Sequence, residues 1–448
     1  MNKKGFVLST YVYILLVFFL LLLGTMLAVM NNTKLLSNKL KEQSNSTSGL
    51  SDKDYSFILL GDKEVILIKG AEYEEPGFIA KTSKGVDISD NVKVIGSIDV
   101  NNMNEYTLTY KITYNGVSKE LKRIVYVLDN IASNYIESLY SLKRNSNGLI
   151  KDNTDDENIR YAGSNEVVKN YVEFGNEGEL WRIIGVFDVA KTSSGTTEKR
   201  IKIVRDAFST GMNWDSTSSG NSGKENNSGW GINQWGKTAT YEGADIMRLL
   251  NGYYIGEENT CTYCNSNNQE TCTNDCSSSV RQLSTPALNM IDDALWYTGA
   301  IGYIDPLSLS TMYEGERGSK NGKICSSGDM CNDTVTRTTT WLGKIGLIYP
   351  SDYAYASTKN DCITNIYGSN SLCKENNWLH PSSGHYWTIA PFATSMDARY
   401  VWYIHSSSCV NGGSAADVYG VRPTLYLSSA VKIIDGDGTQ SNPYKLSI

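Results

Sequence analysis

Proline is scarce in this chain, 8 residues in 448, and histidine scarcer still, at 3. So few prolines, with no repeating glycine period, exclude a collagen-like or proline-rich extended chain. No heptad pattern runs through the sequence, so a coiled coil is excluded as well. A single long apolar run is present, which excludes a polytopic membrane protein. No cysteine precedes Cys261. The sequence holds no P-loop, no dinucleotide fingerprint, no G-x-S-x-G elbow and no H-E-x-x-H pair. No complete catalytic set is therefore legible, and an enzyme is the less favoured class.

Charge of one sign is also in short supply at each end of the argument. The chain carries a net charge of −7 with a pI near 5.3, which excludes a general nucleic-acid binder. Residues 1–50 hold Lys3, Lys4, Lys34, Lys39 and Lys41 against Glu42, a net of +4, so the remainder carries −11. Between Phe6 and Met30 there is no charge at all. That stretch is long and apolar enough to cross a bilayer as a helix. It exceeds the apolar core of a cleaved signal peptide, and no small-x-small cleavage site follows it. An uncleaved single-pass anchor over residues 6–30 is expected, N-terminus cytoplasmic and globular part extracellular.

What the chain has in abundance is glycine, 39, and tyrosine, 29, which favours strands and turns over long helices. Residues 31–55 read as a helical extension and a Ser/Asn-rich linker. From 56 to 129, short β-branched and aromatic runs recur about every ten residues, the spacing of an all-β sandwich. Tyr106, Leu108, Tyr110 and Ile112 alternate with Thr107, Thr109, Lys111 and Thr113 as one half-buried strand, and Tyr114-Asn115-Gly116 ends it with a hairpin turn. Residues 130–157 give a connecting helix and loop. Residues 158–448 form an α+β aromatic-rich domain with a cysteine-rich insertion at 257–280. Within it the pattern predicts a hairpin around Asn176-Glu177-Gly178, helices over 238–256 and 277–299, and strands over 344–356, 386–392, 400–406 and 418–428.

Three stretches resemble known families. Tyr73-Glu74-Glu75-Pro76-Gly77, Gly85-Val86-Asp87-Ile88, Glu105 to Tyr110 and Arg123 to Asp129, in that order, resemble the bacterial immunoglobulin-like domain of the DUF5011 type, found in surface proteins and some pesticidal crystal toxins. The resemblance implies a spacer or adhesive module and no catalysis. The order NYVEF, ELWRIIGVF, GKIGLIYPSDYAYA, WTIAPF, GVRPTLYL and GDGTQSNPYKL resembles an uncharacterised bacterial family of the DUF6273 type. Gly420-Val421-Arg422-Pro423 is similar to the strand that closes formylglycine-generating and C-type-lectin-like folds. The oxygenase chemistry of that group needs paired cysteines there, and only Cys409 stands near. Met1 to Phe6 resembles a type IV prepilin leader cut after Gly5, with Thr10 where major pilins carry Glu. A minor pilin-like subunit at a filament tip therefore stands as an alternative to a plain anchor.

The cysteines beyond the apolar run read as disulfides of an exported protein. Cys261, Cys264, Cys272 and Cys276 have the spacing of a zinc knuckle, but their polar context favours disulfides of undetermined pairing. Cys325 with Cys331 and Cys362 with Cys373 close short loops, and Cys409 is left over. His380, His385 and His405 lie close in sequence to Asp397 and Cys409, yet fit no metal spacing, and His380-Pro381 and Gly384-His385 read as loop residues. No cofactor is expected. Calcium has candidate ligands at Asp87, Asp90 and Asp99 and at Asp435 and Asp437, where solvated turn acids are the simpler reading. Trp214, Trp230 and Trp235, set in Gly/Ser/Asn-rich loops, are the candidate ligand-binding residues, with cell-wall glycan or a surface protein as partner.

Overall fold

The computed structural model describes residues 54–142, 147–193, 195–209, 211–215, 233–237, 243–261, 280–302, 306–318, 337–368, 372–393 and 400–448, with the backbone of 263–264 and 272–273. The expected anchor over residues 6–30 lies outside them. No helix among the described residues is long and apolar enough to cross a membrane. The chain forms two compact units, one drawn from segments up to Val125 and the other running essentially from Tyr126 to Ile448, with Ile66–Tyr73 and Asp99–Glu105 added.

The first unit is built on strands β1 (Tyr55–Leu59), β2 (Glu64–Ile68), β3 (Phe78–Thr82), β4 (Lys93–Ile95), β5 (Asn104–Tyr114) and β6 (Val117–Leu128). β1 and β3 pair antiparallel, and the other four form a sheet in the order β2-β6-β5-β4. The alternation along β5 does what it predicts: Leu108, Tyr110 and Ile112 are buried. Asn115 and Gly116 both take positive φ, 48° and 80°, as a two-residue hairpin turn that follows the strand twist requires. Arg123 is fully buried. Its guanidinium bonds Glu75 (Nε to Oε1 3.1 Å) and the carbonyl oxygens of Leu60, Asp62 and Gly77. Glu75 also accepts from the Gly77 amide at 3.0 Å. The Glu-Glu-Pro-Gly stretch is thus the turn that neutralises the buried Arg123 cation.

In the second unit, seven strands share one antiparallel sheet. In spatial order they are Ile345–Gly346, Thr424–Tyr426, Thr197–Arg205, Leu180–Ala190, Ile159–Tyr161 and Leu149–Lys151, with Tyr171–Glu173 paired to the start of Leu180–Ala190. The last pairing is the hairpin expected around Asn176-Glu177-Gly178. The register shifts between Ile183 and Gly185, and a Cβ on Gly185 would sit 2.2 Å from the Ile159 carbonyl oxygen, so only glycine fits this bulge. The helix Ala132–Ser141 buries Tyr135, Ile136 and Leu139 in this unit's core.

Two expected elements are corrected. Residues 277–299 do not form one helix: Thr285–Leu288 is a single helical turn capped by Ser284, and Ala294–Tyr297 is a strand paired to Thr340–Gly343. Residues 344–356 are not one strand. Ile345–Gly346 is, but Pro350 then starts the helix Pro350–Tyr355, and Asp352 accepts from the Tyr349 amide at 3.0 Å as the helix's N-terminal cap. The helix expected over 238–256 is seen as Asp245–Asn251.

Asp352 is also the hub of a buried ion network. It accepts from Lys202 Nζ at 2.5 Å and Arg160 Nη1 at 2.8 Å, while Arg160 Nε donates to Asp152 at 2.7 Å. All four side chains are 0–1% exposed. Lys202 lies over Tyr349 at 4.0 Å, with Trp296 and Tyr426 each at 5.3 Å. Burial pulls its ammonium down to about 8 against the pull of Asp352. Nearby, Glu316 accepts from the Ser351 amide at 2.8 Å and its hydroxyl at 2.5 Å, and burial pushes its carboxyl up to about 7.

A carboxyl raised in the fold keeps its proton longer than in the unfolded chain. Stability contributed by Glu316 is therefore present at acid pH and lost as pH rises from the unfolded value towards about 7. Glu316→Gln keeps an acceptor for the Ser351 amide and a donor for its hydroxyl without titrating. Denaturant titrations should find this variant more stable than the parent at about pH 8, by about 2–3 kcal/mol, and no more stable at about pH 5. An equal effect at both pH values would show that Glu316 is ionised throughout.

Candidate functional site

Strands His385–Pro391, Tyr400–His405 and Val410–Ser414 make a three-stranded antiparallel sheet in the second unit. Register sets His385 opposite His405, Trp387 opposite Tyr403, and Tyr403 opposite Asn411. Strand alternation places these residues and Gly413 on one face. The other face carries Tyr386, Trp402, Ile404 and Val410 into the core, and on the first face Trp387 and Tyr403 are buried as well, which leaves His385, His405 and Asn411 at its partly open edge. Tyr419 packs onto the first face, 4.5 Å from both Tyr403 and Trp387 and edge-on to His385 at 5.3 Å. A Cβ on Gly413 would stand 3.0 Å from Tyr403 and 3.2 Å from Tyr419, so a side chain there would crowd the two rings.

The imidazoles of His385 and His405 lie 4.2 Å apart at 30°. The Ser406 amide donates to His385 Nδ1 at 3.2 Å, and the Ser407 amide to His405 Nδ1 at 3.0 Å. A backbone N–H can only donate, so each Nδ1 is an acceptor and each ring carries its proton on Nε2. Neither Nε2 has a partner among the described residues, and neither is a buried unsatisfied atom, so both N–H groups meet solvent. Burial, and then its neighbour His385, hold His405 below the usual imidazole value. The result is two neutral rings presenting two outward donors. Beside them, the Asp417 carboxylate accepts from Tyr419 Oη at 3.2 Å and the Ser414 amide at 3.0 Å. His385, His405, Asn411, Asp417 and Tyr419 are all half-buried.

Paired donors beside aromatic faces and a carboxylate can hold a neutral, acceptor-rich molecule. The Ser407 hydroxyl lies 3.1 Å from His405 Nδ1, and no three His, Cys, Asp or Glu side chains among the described residues lie close enough to hold a metal.

The tryptophans expected to bind ligand lie elsewhere. Trp214 and Trp235 are both 0% exposed. Trp214 Nε1 donates to the Thr388 carbonyl at 3.0 Å, and its ring meets Trp235, which meets Trp341. Both rings are fully buried, so neither offers a face to a ligand. Trp230 lies outside the described residues. His385, expected in a loop, opens a strand. What betrays the pair in sequence is H-Y-W in one strand and Y-I-H in the next, two period-2 patterns that antiparallel pairing brings face to face.

Cys362 and Cys373 are joined in a disulfide with Cα atoms 4.9 Å apart, and Cys261 is also disulfide-bonded. Cys264 and Cys272 stand opposite each other in a two-residue ribbon. Cys276, Cys325 and Cys331 lie outside the described residues. Cys409 is buried and in no disulfide. Of the calcium candidates, Asp87, Asp99 and Asp437 each accept from the amide two residues on, and Asp435 pairs with Lys445 at 3.2 Å.

Residues 57–127 match the family of bacterial surface protein Ig-like domains, so the first unit is such a domain. No curated protein matches the chain. Among solved structures, a lipoprotein of Bacteroides thetaiotaomicron is similar at 22% identity over 35% of this chain and 62% of its own, with a TM-score of 0.17. ZmpB of Clostridium perfringens is similar in two structures. The M60 catalytic domain with CBM51-1 and CBM51-2 gives 13% identity over 36% of this chain and 15% of that one, TM-score 0.16. CBM51-2 with GlcNAc and the INT domains gives 12% over 36% and 32%, TM-score 0.16. The chain spans less than two thirds of each of these structures, and likenesses of this depth establish neither fold nor ligand.

Proposed function

We propose that this is a bacterial surface protein whose second unit binds a glycan on the His385–His405 face. The Ig-like unit serves as a stalk, and residues 6–30 anchor the chain with its N-terminus in the cytoplasm and its globular part outside. The surface Ig-like family at 57–127 and the Cys362–Cys373 disulfide support an exported position. The observation that carries the binding assignment is the stacked neutral imidazole pair. It offers two adjacent N–H donors beside the half-buried Tyr419 ring, and sugars present both hydroxyl or carbonyl acceptors and apolar C–H faces.

The test is retention of full-length protein, in detergent, on an array of peptidoglycan fragments, chitooligosaccharides and mucin glycans. Binding of at least one class is expected. His385→Ala, His405→Ala and Tyr419→Ala should each weaken it about tenfold, the cost of one lost hydrogen bond or ring contact. Trp214→Ala is not an informative control, because it empties the core. Retention unchanged in all three variants would remove this face from the site. Binding to protein ligands alone would replace the glycan with a surface protein, and turnover of an arrayed glycan would make the protein an enzyme.

A further inference from the structure

The sheet closes where the His405 amide donates to the Cys409 carbonyl at 3.0 Å, leaving Ser406–Ser408 as the connecting turn. All three histidines of the chain bond this turn. His385 Nδ1 takes the Ser406 amide and His405 Nδ1 takes the Ser407 amide. His380 Nε2 donates to the Ser406 carbonyl at 3.0 Å, and its Nδ1 shares a hydrogen bond of 2.8 Å with Tyr353 Oη. The two amide contacts require His385 and His405 to be neutral with their protons on Nε2, and the Ser406 carbonyl requires a proton on His380 Nε2.

We propose that this turn is an acid-operated latch: protonating the imidazoles opens the Ser406–Ser408 turn and releases whatever the His385–His405 face holds. The release half rests on the glycan assignment above, and the opening half does not. A protonated ring has an N–H at Nδ1, so the Ser406 and Ser407 amides would face donors instead of acceptors. Two imidazolium rings 4.2 Å apart would also repel.

The charged surroundings reinforce this. Lys374 Nζ already donates to the Ser407 carbonyl at 3.3 Å, so the turn carries one fixed cation before any histidine titrates. His380 faces Tyr353, and behind it Cys409, and both Lys374 and His405 oppose its protonation. His385 faces His405, Tyr403 and Tyr419, and His405 faces His385 and Tyr403. The neighbouring carboxylate, Asp417, is engaged by Tyr419 Oη and the Ser414 amide. Burial comes first in holding both His380 and His405 below the usual imidazole value. A histidine lowered in the fold stabilises the neutral-pH form, and that contribution is lost as pH falls from the unfolded value through the lowered one.

Amide hydrogen exchange of the full chain, corrected for intrinsic rate, tests the opening. Protection over residues 400–412 should fall about tenfold between about pH 7.5 and pH 5, while the β5–β6 hairpin of the other unit keeps its own. In the double variant His385→Asn/His405→Asn, each amide oxygen can accept from Ser406 or Ser407 without titrating, and the fall should shrink. Equal protection at both pH values, or a fall as large in the double variant, would overturn the latch. The glycan array run at both pH values separates the two readings. A collapse of protection with no glycan bound at either pH would leave the latch standing and remove the glycan. A glycan retained at pH 5 while protection collapses would overturn the release.

Discussion

Asp352→Ala should destabilise the second unit by about 3–5 kcal/mol, the range for breaking a buried ion pair from one side. The carboxylate accepts from Lys202 at 2.5 Å, Arg160 at 2.8 Å and the Tyr349 amide at 3.0 Å. Burial alone would raise its pKa, but Lys202 and Arg160 hold it below the carboxylate range, so it is ionised at neutral pH. Removing it leaves two cations with Asp152 alone, in a space lined by Tyr349, Trp296 and Tyr426. Lys202→Met should cost less, because an unbranched thioether fits among those rings and Asp352 keeps Arg160. The double variant should cost less than the sum of the singles, since the pair is coupled. All nine tryptophans lie between Trp181 and Trp402, so tryptophan fluorescence during denaturant unfolding follows this unit. A cost below about 1 kcal/mol for Asp352→Ala would mean that water, not protein, satisfies these charges.

The two units differ in how far their sequences foretell them. In the first, β5 buries one face, so alternation is visible, and Asn115-Gly116 marks the turn by its backbone requirement. In the second, the central strands are covered on both sides. From Arg200 to Val204 every residue is buried, so period 2 disappears and a charge in mid-strand is the remaining signal. Lys202 sits inside such a run, I-K-I-V, and its partner Asp352 lies 150 residues on. Ion pairs of that separation leave no local trace. The imidazole pair leaves only the H-Y-W and Y-I-H patterns, because its members fall on different strands and meet only through register. Trp214 and Trp235 erred in the opposite direction. Their Gly/Ser/Asn neighbours describe the backbone correctly as loop, but composition does not say which way a ring in a loop turns.

Tyr110→Ala should cost the first unit about 3–5 kcal/mol, the range for emptying a large aromatic site in a core. Tyr110 is 0% exposed, and its ring meets Phe78 edge-on at 5.5 Å, tying β5 to β3 of the other sheet. Burial pushes its phenol up to about 12, so the neutral ring is the form in the core. Tyr106, four residues earlier on the same strand, is half-buried, and Tyr106→Ala should cost clearly less, about 1 kcal/mol. The first unit contains no tryptophan, whereas its strands contribute to the far-ultraviolet circular dichroism. Tyr110→Ala should therefore move a dichroism transition to lower denaturant while the tryptophan transition stays in place. A shift of both transitions together would show that the two units unfold as one, and equal costs at Tyr106 and Tyr110 would show that burial along β5 does not set the stability of this sandwich.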